Sequence, residues 1–321
     1  MTATEIFEPA PARCPACAGS MSPWLWAVPQ ETDLEARYLL VRCATCGSAS
    51  TAGPAPEEHG DLYETGVYEG AAPRAERLIE MVREIYERQK LRLLGAAGVE
   101  PPAEVVDAGA GQGRFVLAAR RRGYEATGFE PSRRGVEIAA GRGVRLQAAS
   151  LDRAEVASAS ADAVTCWHVL EHVPEPGGAL ERIGDWLRPS GTLLLGVPNL
   201  ASLQARIAAG RWLHLDVPRH RHHFTPVGIE RLLAAHGFTV VRSHQLLIEH
   251  NLFGMWQSWL DRFTSTPAYA YNLVKRNVEP NPRDLAITAA LGALAPLAAA
   301  LELGAGLAGR GGTMAIVARR R

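Results

Sequence analysis

Between residues 103 and 197, short apolar runs alternate with segments of helical period. The predicted strands are 104–107, 124–129, 144–146, 163–167 and 192–197, and the predicted helices lie near 113–122, 132–140 and 177–188. Such alternation predicts a doubly wound α/β fold, with a mainly parallel sheet covered on both faces. Two later runs, 238–245 and 313–319, are predicted to pair antiparallel and to complete a seven-stranded sheet. Ligands of such sheets bind outside the carboxyl ends of the strands.

A glycine-rich loop follows the first predicted strand of this sheet. The sequence VVDAGAGQGRF carries Gly109, Gly111 and Gly113 immediately before a predicted helix. Glycines let the backbone turn tightly and approach a ligand, and a helix N-terminus offers N–H groups to it. A tight turn without a ligand is the alternative. Arg114 stands where a dinucleotide-binding loop would need its third glycine, so a dehydrogenase is a weaker reading.

Two carboxylates flank this loop in the predicted sheet. Glu130 ends the second strand, where it can accept hydrogen bonds from both hydroxyls of a ribose. Asp107 precedes the loop and suits a ligand that carries an ammonium group.

Four motifs in order, VVDAGAGQGRF, ATGFEPS, DAVTCWHVLEHVPEP and LRPSGTLLLGVPN, resemble those of class I S-adenosylmethionine-dependent methyltransferases. The resemblance is to the branch that includes the ubiquinone-type O-methyltransferases, and it implies a Rossmann-like methyltransferase fold with S-adenosylmethionine as methyl donor. It also implies a set of donor-binding residues, although the acidic residue usual beside adenine is displaced in this chain. In this sequence they are the loop glycines 109, 111 and 113, Asp107 near the methionine part, Glu130 on the ribose, Ser150 and Leu151 beside adenine, and His168 beside the sulfonium.

The first 52 residues carry two CxxC pairs, Cys14 with Cys17 and Cys43 with Cys46. Two such pairs supply four thiolates to a tetrahedral Zn²⁺ and leave no open coordination position, so we expect a structural zinc ribbon. Acidic side chains outnumber basic ones in this module, which disfavours nucleic acid as a partner. Residues 53–72 are predicted to be a linker, and 73–321 the methyltransferase domain. Cys166 lies mid-strand and is expected in the core.

A segment rich in Trp, His and Arg, 198–225, follows the fifth predicted strand and is expected to form a lid on the acceptor side. It resembles a PRHxHHFT segment common in methyltransferases of this branch that carry the zinc module. His220 is predicted to be the general base or to orient the acceptor, and Arg219 to bind an anionic acceptor group. His172, after the fourth strand, is the rival base. A packed, hydrogen-bonded loop and a second metal site are the alternatives.

The stretch 249–309 before the last strand is predicted to be a helical insertion, and 285–301 within it carries no charge. The apolar run is short for a transmembrane helix and contains Pro296. Three interpretations remain open: a buried helix pair, a homodimer interface, and peripheral contact with a membrane through 285–309.

The sequence therefore predicts methyl transfer to oxygen or nitrogen of a small molecule, such as a sugar, a polysaccharide precursor or a secondary metabolite. An RNA methyltransferase and a catalytically inactive scaffold that binds the donor are the alternatives. Lys+Arg and Asp+Glu both number 34, and a protein that binds phosphate backbones usually carries a basic excess. The N-terminus shows no secretory signal, so we expect a cytoplasmic protein.

Overall fold

The computed structural model describes residues 4–30, 36–53, 73–248, 251–275 and 277–321. The chain forms two compact units. The first comprises Met1–Ala72, Pro198–Ile229 and His244–Met314, and the second comprises Pro73–Val197, Glu230–Ser243 and Ala315–Arg321. Apart from Gly53, the predicted linker lies outside the described residues.

The described residues contain twelve strands and ten α-helices. The strands are β1 Thr4–Ile6, β2 Met21–Ala27, β3 Ala36–Cys43, β4 Ala49–Thr51, β5 Glu104–Ala108, β6 Glu125–Glu130, β7 Gln147–Ala148, β8 Ala161–Trp167, β9 Leu187–Pro198, β10 His222–His223, β11 Phe238–His244 and β12 Thr313–Arg320. The helices are α1 Pro73–Ala96, α2 Arg114–Arg120, α3 Arg133–Gly141, α4 Pro176–Trp186, α5 Leu203–Ala208, α6 Pro226–Ala235, α7 Asn251–Leu260, α8 Tyr269–Lys275, α9 Pro282–Gly292 and α10 Ala295–Leu307.

The second unit is built on a seven-stranded sheet in the order β11-β12-β9-β8-β5-β6-β7. The pairs β5–β6, β5–β8, β6–β7 and β8–β9 are parallel. The main-chain N–H of Arg321, after β12, donates to the carbonyl of Gly237, before β11, so the end of one strand lies beside the start of the other, as in an antiparallel pair. The central strands are buried apolar runs, which is typical of a sheet covered on both faces. The predicted fold class is confirmed.

Two predicted boundaries in this sheet are wrong. The strand predicted at 144–146 is Gln147–Ala148, because these are the residues that pair with Phe129 and Glu130 of β6. Val144 is instead fully buried, and its Cγ1 would lie 3.0 Å from a Cβ at Gly113. The helix predicted to continue to 188 ends at Trp186, because Leu187 is extended and pairs with Ala161 at the start of β9.

The first unit contains a five-stranded sheet. Four of its strands follow the order β1-β3-β4-β10, and β2 pairs antiparallel with residues 38–43 of β3. Strand β10 belongs to the histidine-rich segment and runs antiparallel to β4, with His222 opposite Ser50 and His223 opposite Ala49. The compact units thus divide the chain differently from the predicted domains. Residues 198–225 and most of 249–309 lie in the unit that contains the cysteine module, because their strand and helices pack there.

Helices α7 to α10 form the predicted helical insertion before the last strand. Helix α9 begins after Asn281, whose side chain accepts a hydrogen bond from the N–H of Asp284, an N-cap. Among the described residues, no single helix is long and apolar enough to cross a membrane. Helices α9 and α10 meet that length and composition criterion only as a pair, bent by 65°.

Candidate active site and cysteine cluster

The glycine loop lies at the carboxyl end of β5 and requires glycine at three positions. Gly109, Gly111 and Gly113 have φ values of 69°, 52° and 69°, in the left-handed region that side chains rarely adopt. A Cβ at Gly109 would lie 2.3 Å from Cγ2 of Val169, so a side chain has no room there. A Cβ at Gly111 would meet nothing within 4 Å. The loop therefore presents bare backbone to open space at Gly111, which suits close approach by a ligand.

Glu130 closes this loop from the end of β6. Its Oε2 accepts a hydrogen bond of 2.8 Å from the N–H of Gly111, and its Oε1 accepts one of 2.9 Å from the N–H of Ser132. Burial raises the pKa of the Glu130 carboxyl, and the two N–H donors act against that shift. Each carboxylate oxygen can accept a second hydrogen bond. The side chain is thus fixed in place and retains acceptor capacity for two hydroxyl groups.

Asp107 ends β5 just before the loop and is only 5% exposed. Burial raises the pKa of its carboxyl to about 7, while Lys90 and the hydroxyl of Thr165 favour the charged form. The Thr165 hydroxyl donates to Oδ1 of Asp107. The sequence patterns did not single out Thr165. Only the parallel register, which sets Thr165 directly beside Asp107, identifies it.

The carboxyl end of β8 carries a histidine paired with a buried carboxylate. Nδ1 of His168 lies 3.0 Å from Oε1 of Glu171, a side chain that is fully buried. The backbone of His168 has φ 54°, and its N–H donates to the carbonyl of Gly196 in the neighbouring strand β9. His172 is the residue after Glu171 and is half-buried. Cys166 is fully buried in β8, as expected of a core residue, and burial raises the pKa of its thiol.

Ser150 and Leu151 follow β7, beside the end of β6. The N–H of Ala149 donates to the carbonyl of Glu130, which brings this turn to the same sheet edge as the glycine loop. Leu151 is buried, and its carbonyl accepts a hydrogen bond of 3.1 Å from Nε of Arg182. The second unit therefore collects all the predicted donor-binding residues at the carboxyl ends of its strands.

His220 and Arg219, the predicted acceptor-side residues, lie in the first unit. His220 is 7% exposed, with Nδ1 2.9 Å from the carbonyl oxygen of His214 and Nε2 3.8 Å from Oδ2 of Asp216. Arg219 binds the same Asp216 carboxylate through two nitrogens, at 3.0 and 2.6 Å. Asp216 thus engages the guanidinium that was predicted to bind an anionic acceptor group. His220 and Arg219 are thus each held by contacts within their own segment.

The rest of the histidine-rich segment is anchored on the cysteine module. His222 Nδ1 lies 3.3 Å from the Ser50 hydroxyl, and His223 Nε2 lies 2.9 Å from the Thr51 hydroxyl. The Thr225 hydroxyl donates to the carbonyl of Cys46 at 2.7 Å. Both residues of β10 and the N-terminus of α6 are therefore tied to the second CxxC pair and to the strand that follows it.

The four cysteines of the N-terminal module converge. Their sulfur atoms all lie within 4.8 Å of one another, with Cys14 Sγ 3.6 Å from Cys46 Sγ and Cys17 Sγ 3.5 Å from Cys43 Sγ. Sulfur atoms around a tetrahedral zinc are about 3.8 Å apart, given a Zn–S distance of about 2.3 Å. The N–H of Thr45 donates to the sulfur of Cys43. The residues present thus fit a tetrahedral zinc held by four thiolates.

A sheet of this order, with a carboxylate holding a glycine loop at its carboxyl edge, is typical of the class I S-adenosylmethionine-dependent methyltransferases, and the protein is of that class. The comparison with protein families agrees. The chain belongs to the methyltransferase-domain family, whose model matches residues 78–243, more than half of the chain.

Curated relatives include a ubiquinone biosynthesis O-methyltransferase from Xanthomonas oryzae pv. oryzae (strain PXO99A), 27% identical over 62% of this chain and 82% of that protein. A protein of the same name from Aeromonas salmonicida (strain A449) is 30% identical over 42% of this chain and 63% of its own length. Among solved structures, the 1,6-didemethyltoxoflavin-N1-methyltransferase of Burkholderia thailandensis covers 86% of this chain and 96% of its own, at 20% identity and a TM-score of 0.47. Because that score lies below 0.5, the fold assignment depends on the sheet order and register themselves.

Proposed function

We propose that this methyltransferase transfers a methyl group to an oxygen or nitrogen atom of a small-molecule acceptor, such as a sugar, a polysaccharide precursor or a secondary metabolite. The names of the curated relatives, ubiquinone biosynthesis O-methyltransferases, support an oxygen of a small molecule. The equal numbers of basic and acidic side chains, 34 of each, argue against a surface built for a phosphate backbone.

The observation that carries the proposal is the contact between Glu130 and Gly111. Each oxygen of this buried carboxylate accepts one main-chain N–H and can accept one more hydrogen bond. In the proposal these remaining acceptor positions bind the ribose hydroxyls of S-adenosylmethionine, and the bare loop at Gly109, Gly111 and Gly113 lies against the donor. Ser150 and Leu151 flank the adenine.

Asp107 and His168 hold the other end of the donor in this proposal. The Asp107 carboxylate binds the ammonium group of the methionine part, which lowers the cost of ionising a buried carboxyl. His168 lies beside the sulfonium, and its ring is oriented by the Glu171 carboxylate. S-adenosylmethionine supplies a methyl group that is already activated, so the protein contributes mainly proximity and orientation.

An acceptor hydroxyl must also lose its proton, and two histidines remain the proposed bases. His172 stands in the second unit, after β8. His220 stands in the first unit, where the Asp216 carboxylate 3.8 Å from its Nε2 would stabilise the imidazolium formed on proton uptake. Arg219 binds the same carboxylate and thereby holds it in place beside the His220 ring.

We also propose that Cys14, Cys17, Cys43 and Cys46 bind one structural Zn²⁺. The distances between their sulfur atoms support a closed tetrahedral site, and a module this small gains much of its stability from such a metal. With four thiolates bound, the metal has no position for a substrate, so its contribution is to folding.

The test of the proposed function is a transfer assay with methyl-labelled S-adenosylmethionine. The purified chain would be offered phenols, sugars and amines in one series and total RNA in another, with product identified by mass spectrometry. We expect label on oxygen or nitrogen of a small molecule, and Glu130→Ala to reduce the transfer. Label on RNA alone would favour the RNA methyltransferase, and donor binding without transfer to either series would favour the scaffold.

A further inference from the structure

Helix α10 in the first unit exposes its large apolar side chains and buries small and acidic ones. Its buried positions are Ala298, Glu302, Ala305 and Gly306, which are small or acidic. Its leucines point outward: Leu297 is 53% exposed, Leu301 42%, Leu303 41% and Leu307 77%. A surface helix normally buries its large apolar side chains and exposes its polar ones.

Close packing explains which side of α10 faces inward. A Cβ at Gly306 would lie 2.8 Å from the carbonyl oxygen of Gln245, so only glycine permits this approach. Oε1 of Glu302 accepts a hydrogen bond of 2.8 Å from the N–H of Gly312. The inner face is therefore fixed by backbone proximity and a buried carboxylate, and the leucines are left on the outer face.

The apolar surface continues along α9. We call the exposed leucines of the two helices and of the turn between them the leucine face: Leu285, Leu294, Leu297, Leu301, Leu303 and Leu307. Residues 284–309 are all described, and every exposed position among them is Ala, Gly, Pro or Leu. The two acidic residues of this stretch, Asp284 and Glu302, are buried. A stretch of this length that exposes apolar side chains and no polar one is typical of a contact site.

Basic side chains are neighbours in the chain of exposed apolar ones, both at the ends of the leucine face and before it. Arg283 and Arg310 flank the leucine face in the chain, and both are exposed. In the preceding helices and turns, Arg262 precedes Phe263, which is 58% exposed, and Lys275 follows Val274, which is 66% exposed. Among the described residues between 251 and 312, Glu279 is the one acidic residue with an exposed side chain. Among the described residues of this part, the charged side chains that reach solvent are thus four basic ones and one acidic one.

We propose that the leucine face binds the surface of a membrane that contains anionic phospholipids, with α9 and α10 lying in the interface. Leucines entering the acyl region and arginines meeting lipid phosphates are the two components of such binding. A second copy of the chain is the less favourable occupant, because a symmetric contact would bring two surfaces with the same basic side chains together.

The contact is peripheral rather than membrane-spanning. At about 1.5 Å per residue, the 11 residues of α9 and the 13 of α10 extend roughly 16 and 20 Å, against an apolar bilayer core of about 30 Å. The bend of 65° between the helices prevents them from acting as one straight span.

The test is co-sedimentation of the full chain with vesicles of phosphatidylcholine, with and without phosphatidylglycerol. We expect stronger binding to the anionic vesicles and a loss of at least about tenfold in partition coefficient for Leu297→Ser/Leu301→Ser. Val241→Ser/Ile85→Ser is the matched control, since these side chains of the second unit are also 53% and 42% exposed. Arg283→Gln/Arg310→Gln should weaken binding to anionic vesicles by about fivefold per residue and leave binding to phosphatidylcholine unchanged.

Circular dichroism and donor binding would verify that each variant is folded. The proposal is overturned if the wild-type chain does not sediment with either vesicle, or if the control variant loses as much binding as the leucine variant. A dimer seen by light scattering that Leu297→Ser/Leu301→Ser converts to a monomer, together with absence of vesicle binding, would assign the leucine face to a second copy.

Discussion

Replacing Asp107 by asparagine should remove most of the pH dependence of donor binding. Burial raises the pKa of this carboxyl to about 7, so near neutral pH the protein without donor is a mixture of charged and protonated forms. If the carboxylate binds the donor's ammonium group, only the charged form is competent. Donor affinity should therefore rise with pH through this range.

The size of the effect follows from the fraction of charged Asp107. With a pKa of about 7, that fraction is about one tenth at pH 6 and about nine tenths at pH 8, so the apparent Kd should fall roughly tenfold between them. The stability of the donor-free protein changes in the opposite direction. A pKa raised from 3.8 favours the folded state at low pH, and this contribution, at most about 4 kcal/mol, is lost as the pH rises from about 4 to about 7.

Isothermal titration with S-adenosylhomocysteine, which keeps the ammonium group, would measure the affinity from pH 6 to pH 8. The comparison is between wild type and Asp107→Asn, because any titration of the ligand itself is common to both. The ratio of their affinities should grow about tenfold over the range. A ratio that stays constant with pH, or an asparagine variant that binds as tightly as wild type at pH 8, would refute the reasoning.

Three further predictions concern the donor, the cysteines and the base. Glu130→Ala should cost at least about 1.5 kcal/mol of donor binding by calorimetry, because two ribose hydrogen bonds are lost, and Glu125→Ala, exposed at the other end of β6, should cost nothing measurable. Metal analysis should give about one zinc per chain, lost in Cys43→Ser with the fold of the module, and a metal-free module of equal stability would contradict this. His220→Ala should leave donor affinity nearly unchanged while transfer falls by roughly 10²–10⁴-fold, with partial recovery at high pH for a hydroxyl acceptor. Equal loss of donor binding would mark His220 as structural, and His172→Ala tests the rival base.

The strand, glycine loop and helix of the candidate donor site could be predicted because their signals are local in the sequence. Strand, glycine loop and helix follow one another between residues 104 and 120. The strand and the helix are indicated by the spacing of their apolar residues, and the loop by its glycines. The three loop glycines have positive φ values, the conformation for which a glycine is needed. Thr165 is different, since a threonine within a strand has no local signature, and its role depends on the register between β5 and β8.

The strand predicted at 144–146 is wrong because the spacing of apolar residues does not show which residues pair with a neighbouring strand. Val144 and Leu146 have the apolar side chains of a strand, yet Val144 packs beneath the glycine loop, and the pairing residues are Gln147 and Ala148. Similarly, nothing in His222 and His223 indicates a strand, since β10 exists through its pairing with β4, more than 170 residues earlier in the chain. Contacts at such separation are set by tertiary packing rather than by local propensity.

Composition identified the apolar stretch of α9 and α10 but not its orientation. A helix with leucines, alanines and one glutamate predicts buried leucines and an exposed carboxylate. The structure has Glu302 inside and the leucines outside, because Gly306 packs against the backbone near Gln245. Steric fit of the smallest residue determined the orientation of the helix.

The pairing of β4 with β10 limits what can be learned by deleting the cysteine module. Removing residues 1–52 would strip β10 of its neighbouring strand and would leave Thr225 without the carbonyl of Cys46. A shortened enzyme that fails to methylate would then be a damaged enzyme, and its failure would carry no information on whether the module recognises the acceptor. Point substitutions at exposed side chains of β2, such as Trp24→Ala at a side chain 40% exposed, probe recognition while the strands remain in place.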